Sequence, residues 1–172
     1  MEPADGTRVI RSAARRRLNR DMGERWQIEE LVYRTCLALD DRDFKGFLAL
    51  CDAGFRYKVT VYSPEIRKEM VWLDHDKPGM ETLFTNLPRH NSDHAPLTRH
   101  ATVHTIKVDG AQAQVVSTLQ VFRTTLDGGA TELFAVARLI DTVKLDGGTP
   151  SLAARVVRMG TRQLGFGSHI PF

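Results

Sequence analysis

The chain has 172 residues, 42% hydrophobic and 26% charged, with a formal net charge of +3; this length suits one domain with a sizeable core rather than two. No apolar run approaches the ~20 residues that cross a bilayer, and the start lacks the apolar stretch of a secretory signal, so a cytoplasmic protein without a membrane partner is expected. Residues 1–25 hold seven arginines (Arg8, Arg11, Arg15, Arg16, Arg17, Arg20, Arg25) against four acids, while 17 basic and 17 acidic side chains follow from Trp26 onward. The excess charge is therefore confined to a basic N-terminal arm, 1–25, flexible or docking on a partner. The single domain, 26–172, is neutral and offers no basic face to nucleic acid.

Ile28, Leu31, Val32, Thr35, Cys36 and Leu39 recur at the spacing of one helical face. Asp43 offers an N-cap for a short second helix carrying Phe44, Phe47, Leu48 and Cys51, ending near Ala53-Gly54. The period then changes to two: Phe55, Tyr57, Val59 and Val61 alternate with polar or exposed-type residues in a strand stopped by Ser63-Pro64. A second strand is expected over Glu69 to Leu73, then a loop from Asp74 to Pro78. Met80, Leu83, Phe84 and Leu87 mark a third helix broken by Pro88. Beyond Thr98 the chain reads as extended stretches over 98–108, 111–125, 131–144 and 151–160. They are separated by Asp109-Gly110, Asp127-Gly128-Gly129 and Asp146-Gly147-Gly148, turn chemistry that favours positive φ. Helices first and an antiparallel meander last is an α+β order: a strongly curved sheet wrapped on the N-terminal helices as a cone.

Candidate chemistry is sparse. Cys36 and Cys51, the only cysteines, lie on apolar helical faces and read as buried reduced thiols. On the strand Thr98 to Val108, a period of two puts His100, Thr102, His104, Ile106 and Val108 on one face, opposite Arg99, Ala101, Val103 and Thr105. Histidines four residues apart on a strand lie ~13 Å apart, too far to share a metal. They can serve as acid and base only if that face lines a pocket, with Asp40, Tyr57 or Asp141 as an orienting group. His75 with Asp74 and Asp76, and His90 with Asp93 and His94, lack metal-ligand spacing. A phosphate loop, dinucleotide fingerprint, nucleophile elbow and iron-sulfur ligand pattern are all missing from the sequence.

The first helix leading into "LDDRDFKGFLALCDAGFRYKV", then "EMVWLDHDKPGMETLF", "PLTRHATVHTIKV" and the ending "RMGTRQLGFGSHIPF" together resemble the small (β) subunits of Rieske-type ring-hydroxylating oxygenases. Their fold is the NTF2-like (cystatin-like) cone shared with SnoaL-like cyclases. The resemblance covers about residues 28–172, and the pattern stands nearer to terephthalate-type or methanesulfonate monooxygenases than to the aromatic-ring dioxygenases. It implies a non-catalytic chain with no cofactor of its own, trimerising and supporting a large (α) subunit in an α3β3 hexamer. That α subunit carries the Rieske 2Fe-2S cluster and a mononuclear iron, acts on an aromatic acid or small sulfonate, and draws electrons from NADH through a reductase or ferredoxin. The resemblance further implies subunit contacts at Arg99, Arg162, Leu164, Phe166, His169, Pro171 and Phe172, which would explain why the tail is apolar. The competing reading is a stand-alone SnoaL-like dehydratase or isomerase with His100 and His104 as acid and base, helped by Asp40 and Tyr57.

Overall fold

A computed structural model describes residues 6–90, 93–146, 148–163 and 170–172, with side chains from residue 21 onward. The first helix, α1 (Gly6–Asp40), runs without a break through the expected boundary between arm and domain. Its six positions chosen by spacing, Ile28, Leu31, Val32, Thr35, Cys36 and Leu39, are all buried. Among the described residues, no helix is long and apolar enough to cross a membrane.

Arg42, at φ 55°, turns the chain, and the Asp43 carboxylate accepts a hydrogen bond from Gly46 N at 2.8 Å to cap α2 (Phe44–Ala49). This helix stops four residues before the expected Ala53-Gly54. The reason is long-range: Leu152 N donates to Leu50 O at 2.9 Å, and Cys51 already pairs with Leu152, so β1 (Cys51–Ser63) starts at once. The next strand, β2 (Lys68–Asp76), also outruns its expected Glu69–Leu73 span. No loop follows it, because the Asp76 carboxylate accepts from Gly79 N at 2.9 Å and α3 (Lys77–His90) begins directly, with Pro78 in a first turn that needs no N–H there. Pro88 does not break α3, which continues to His90; so near the end, the missing N–H removes only one intrahelical bond.

Four strands complete the sheet: β3 (Leu97–Asp109), β4 (Gln112–Thr124), β5 (Thr131–Lys144) and β6 (Ser151–Met159). The turns read from Asp-Gly pairs hold, with positive φ at Gly110, Gly128 and Gly148. The order is β2-β1-β6-β5-β4-β3. The sheet is antiparallel except at β1–β6, which is parallel; strands so distant in sequence have no hairpin to fix their direction. The helices cover the inner face, α1 along β3 and α3 against β1 and β2. Phe44 stacks on Phe84 at 4.5 Å, and the Phe47 ring meets the edges of Phe55 and Phe84 at 6.0 and 5.9 Å.

Outside this core, Arg162 Nη1 donates to both oxygens of Glu65, at 2.6 and 2.7 Å, tying the segment after β6 to the β1–β2 turn. Arg162 and then the neighbouring backbone and Ser63 hydroxyl hold the Glu65 carboxyl down to about 2. Because the folded value lies below the unfolded one of ~4.3, the tether acts fully above that pH and is lost as pH falls toward 2. NMR titration of Glu65 is expected to show this depressed midpoint, and Arg162→Ala to return it to the ordinary glutamate range.

Candidate functional site

The curved sheet lays a polar set across its own inner face. Strand register places Tyr57 (β1), Arg155 (β6) and Asp141 (β5) side by side at one level. The guanidinium of Arg155 donates Nε to Asp141 Oδ1 at 2.8 Å and Nη2 to Oδ2 at 2.7 Å, a bidentate pair with side chains 1% and 0% exposed. Desolvation works against the charged guanidinium, yet the Asp141 charge and hydrogen bonds outweigh it, and the pKa of Arg155 is raised. Arg155 is therefore no proton carrier near neutrality.

A second pair sits where α1 meets β3. Arg99 Nη1 donates to Asp40 Oδ1 at 2.5 Å, and its backbone N donates to Oδ2 at 2.9 Å. The remaining polar contacts of this set go to the end of the chain. Arg99 Nη2 donates to Pro171 O at 2.6 Å; the Tyr57 hydroxyl donates to Phe172 O at 3.0 Å and accepts from Phe172 N at 2.9 Å. Ile170, Pro171 and Phe172 are buried, with Ile170 and Phe172 in the same hydrophobic cluster as the core strands. The cone is thus filled by its own tail. Burial pushes the Tyr57 hydroxyl up to about 12 and the Cys51 thiol likewise to about 12; it also raises Cys36, so none of the three is an activated acid or nucleophile at neutral pH. Among the described residues, three buried side-chain polar atoms lack a partner: Arg99 Nε, Arg155 Nη1 and Ser117 Oγ.

The acid/base set expected of a stand-alone enzyme does not assemble. His100 and His104 are exposed on the outer side of the sheet, His100 edge-on to Phe122 at 5.4 Å and His104 Nε2 3.0 Å from Thr118 Oγ1, while Asp40 and Tyr57 serve the tail on the inner side. His100, Thr102 and His104 keep the face-sharing read from the period of two. A β-bulge between Val103 and Thr105 shifts the phase, so Ile106 packs against the core with Ala101 and Val103. Of the expected contact residues, Arg99 is spent inside the chain, Pro171 and Phe172 are buried within it, and Arg162 is exposed in its pair with Glu65. Leu164, Phe166 and His169 lie outside the described residues. The carboxylates near the other histidines are committed as well: Asp74 to Arg56 and Lys58, Asp76 to the α3 cap, and Asp93 to Arg123. Among the described residues, no three His, Cys, Asp or Glu side chains come together as a metal-binding group.

Sequence reasoning missed Arg155. The signal was present: Arg155 shares strand phase with buried Val157 and Met159, as Asp141 does with Leu139 and Val143, and opposite charges at inward positions of two strands indicate a pair. Their adjacency required the register.

Residues 20–155 match the SnoaL-like domain. The chain is 37% identical over 153 residues to the hydroxylase subunit beta of methanesulfonate monooxygenase from Methylosulfonomonas methylovora, covering 84% of each. It is 28% identical over 144 residues to the beta subunit of 2-aminobenzenesulfonate 2,3-dioxygenase from Alcaligenes sp, covering 84% of this chain and 96% of that one. Among solved structures, it resembles the beta subunit assigned to an aromatic-ring-hydroxylating dioxygenase of Novosphingobium aromaticivorans, with a TM-score of 0.74 at 19% identity over 84% of this chain and 94% of that one, a likeness of fold alone.

Proposed function

We propose, on the premise that this chain belongs to the SnoaL-like family and within it to the beta subunits of oxygenase hydroxylase components, that it supports a large α subunit in an α3β3 hexamer in the cytoplasm. The α subunit holds the Rieske 2Fe-2S cluster and the mononuclear iron and oxidises a small sulfonate or an aromatic acid. A reductase or ferredoxin brings it electrons from NADH. The relatives' names support a sulfonate first, since both act on sulfonates. The basic segment 1–25 docks on a partner in this reading, which its concentrated charge supports.

The observation that carries the proposal is the filled cone. A stand-alone dehydratase or isomerase needs an open pocket with an acid and a base facing into it; here Ile170–Phe172 occupy that space, and His100 and His104 face away. Co-expression with the large subunit tests it. The two chains are expected to elute together at the hexamer's size, with iron retained by the large subunit and product formation unchanged in His100→Ala and His104→Ala. Turnover by the purified lone chain, lost on either substitution, would overturn the proposal.

A further inference from the structure

On the outer face of the sheet, one row carries like charges that the strand register sets side by side. Pairing lines up Thr102 (β3), Thr118 (β4), Arg138 (β5), Arg158 (β6) and Thr60 (β1) at one level. Two arginines therefore stand directly opposite each other on neighbouring antiparallel strands, with Cβ atoms ~4.5–5.5 Å apart. Like charges so placed destabilise a sheet until an anion offsets them. The chain itself offers little. Arg158 Nε is 3.4 Å from Glu69 Oε1, with side chains 53% and 46% exposed, a pairing that contributes little in water, and the same oxygen already accepts from the Thr60 hydroxyl at 2.7 Å. The exposed Arg138 side chain has no hydrogen bond or ion pair among the described residues.

The level beside this row is aliphatic. Val116, Ile140 and Val156 are cross-strand neighbours on β4, β5 and β6, all half-buried on the same outer face, and Val136, two residues from Arg138, is 38% exposed. An antiparallel sheet face made for water carries polar residues at such positions, whereas arginines among aliphatic side chains are the composition of an interface centre. We infer that this patch docks an acidic segment of the large subunit. A carboxylate lies between Arg138 and Arg158 and accepts forked hydrogen bonds from guanidinium, and an aliphatic neighbour rests on Val116, Ile140 and Val156. A second copy of this chain suits the patch poorly. Its net charge of +3 opposes self-contact, and Glu69, Asp74 and Glu132 on its strands are already paired. This docking rests on the chain's role as the small subunit of a hydroxylase and adds which of its surfaces meets the large one.

Arg138→Glu separates docking from folding, because it sets opposite charges across β5 and β6 in place of like ones. In the co-expressed hydroxylase, this variant is expected to release the large subunit roughly tenfold more readily on dilution, followed by light scattering. Hydrogen exchange at Leu139 and Val157 in the assembled complex is expected to be no faster than in the wild type. Release unchanged from the wild type overturns the docking and leaves the hydroxylase role standing, even if inorganic sulfate binds the patch in a calorimeter. Faster exchange at those two amides alongside weaker assembly overturns it too, since the arginine then only supports the sheet. Loss of contact among small subunits, with the large subunit still held, assigns the patch to a second copy and has the same result. If the wild-type chains do not co-elute at all, the hydroxylase role and the docking fall together. Should Arg138→Glu give no complex to measure, Arg138→Gln decides by the same two readings, with release expected to rise roughly threefold.

Discussion

Replacing Asp141 by alanine is expected to destabilise the chain by about 3–5 kcal/mol, enough to abolish most of the stability of an ordinary domain. The magnitude follows from burial. Arg155 and Asp141 are 1% and 0% exposed, so the orphaned guanidinium has no route to water, and one of its nitrogens already lacks a partner. Desolvation of both charges limits what the intact pair contributes, so the large effect belongs to breaking it, not to having it. The double variant Asp141→Leu with Arg155→Met is therefore expected to fall near the wild type or above it. Urea unfolding of the assembled complex and its variants checks both halves; a single variant within 1 kcal/mol of wild type would refute the account.

Asp40→Ala is expected to follow closely, at about 3 kcal/mol or more, because the Arg99 side chain it leaves behind is 0% exposed. The converse change is milder. Arg99→Met leaves the Asp40 carboxylate, 15% exposed, a path to solvent and still a hydrogen bond from the backbone N of residue 99, so roughly half that loss is expected. Arg99→Met removes the bond that Arg99 makes to Pro171 O, and Asp40→Ala takes away the carboxylate that holds the guanidinium making it, so both should speed hydrogen exchange at Phe172. A loss of stability in Asp40→Ala without faster exchange at Phe172 would separate the ion pair from the tail.

What could be read from the sequence were the features decided locally. The buried face of α1 followed from spacing because a helix imposes its period whatever it packs on, and Gly110, Gly128 and Gly148 announced their turns because few other residues take positive φ. Some of the misread features were decided at a distance. Cys51 is a strand residue because Leu152 lies beside it, and the extra residue at His104 in β3 is set by the partner strand β4. The same division holds for the interior set. Asp40, Tyr57 and Asp141 were recognisable as polar residues worth watching, but their partners come from positions 59 to 115 residues away in three of the contacts, Arg99 and Phe172 among them. The tail's apolar character was legible; its destination depended on a pocket that exists only once six strands are in place.

The parallel seam between β1 and β6 also governs the order of events during synthesis. β1 and β2 can form their hairpin early, but the edge of β1 that β6 will cover stays unpaired until residues 151–159 have left the ribosome. At ~5–20 residues per second, that interval lasts several seconds to tens of seconds, during which a nascent Phe55-to-Val61 strand is open to wrong pairing. Chaperone binding to the nascent chain is accordingly expected to concentrate between the emergence of β1 and that of β6.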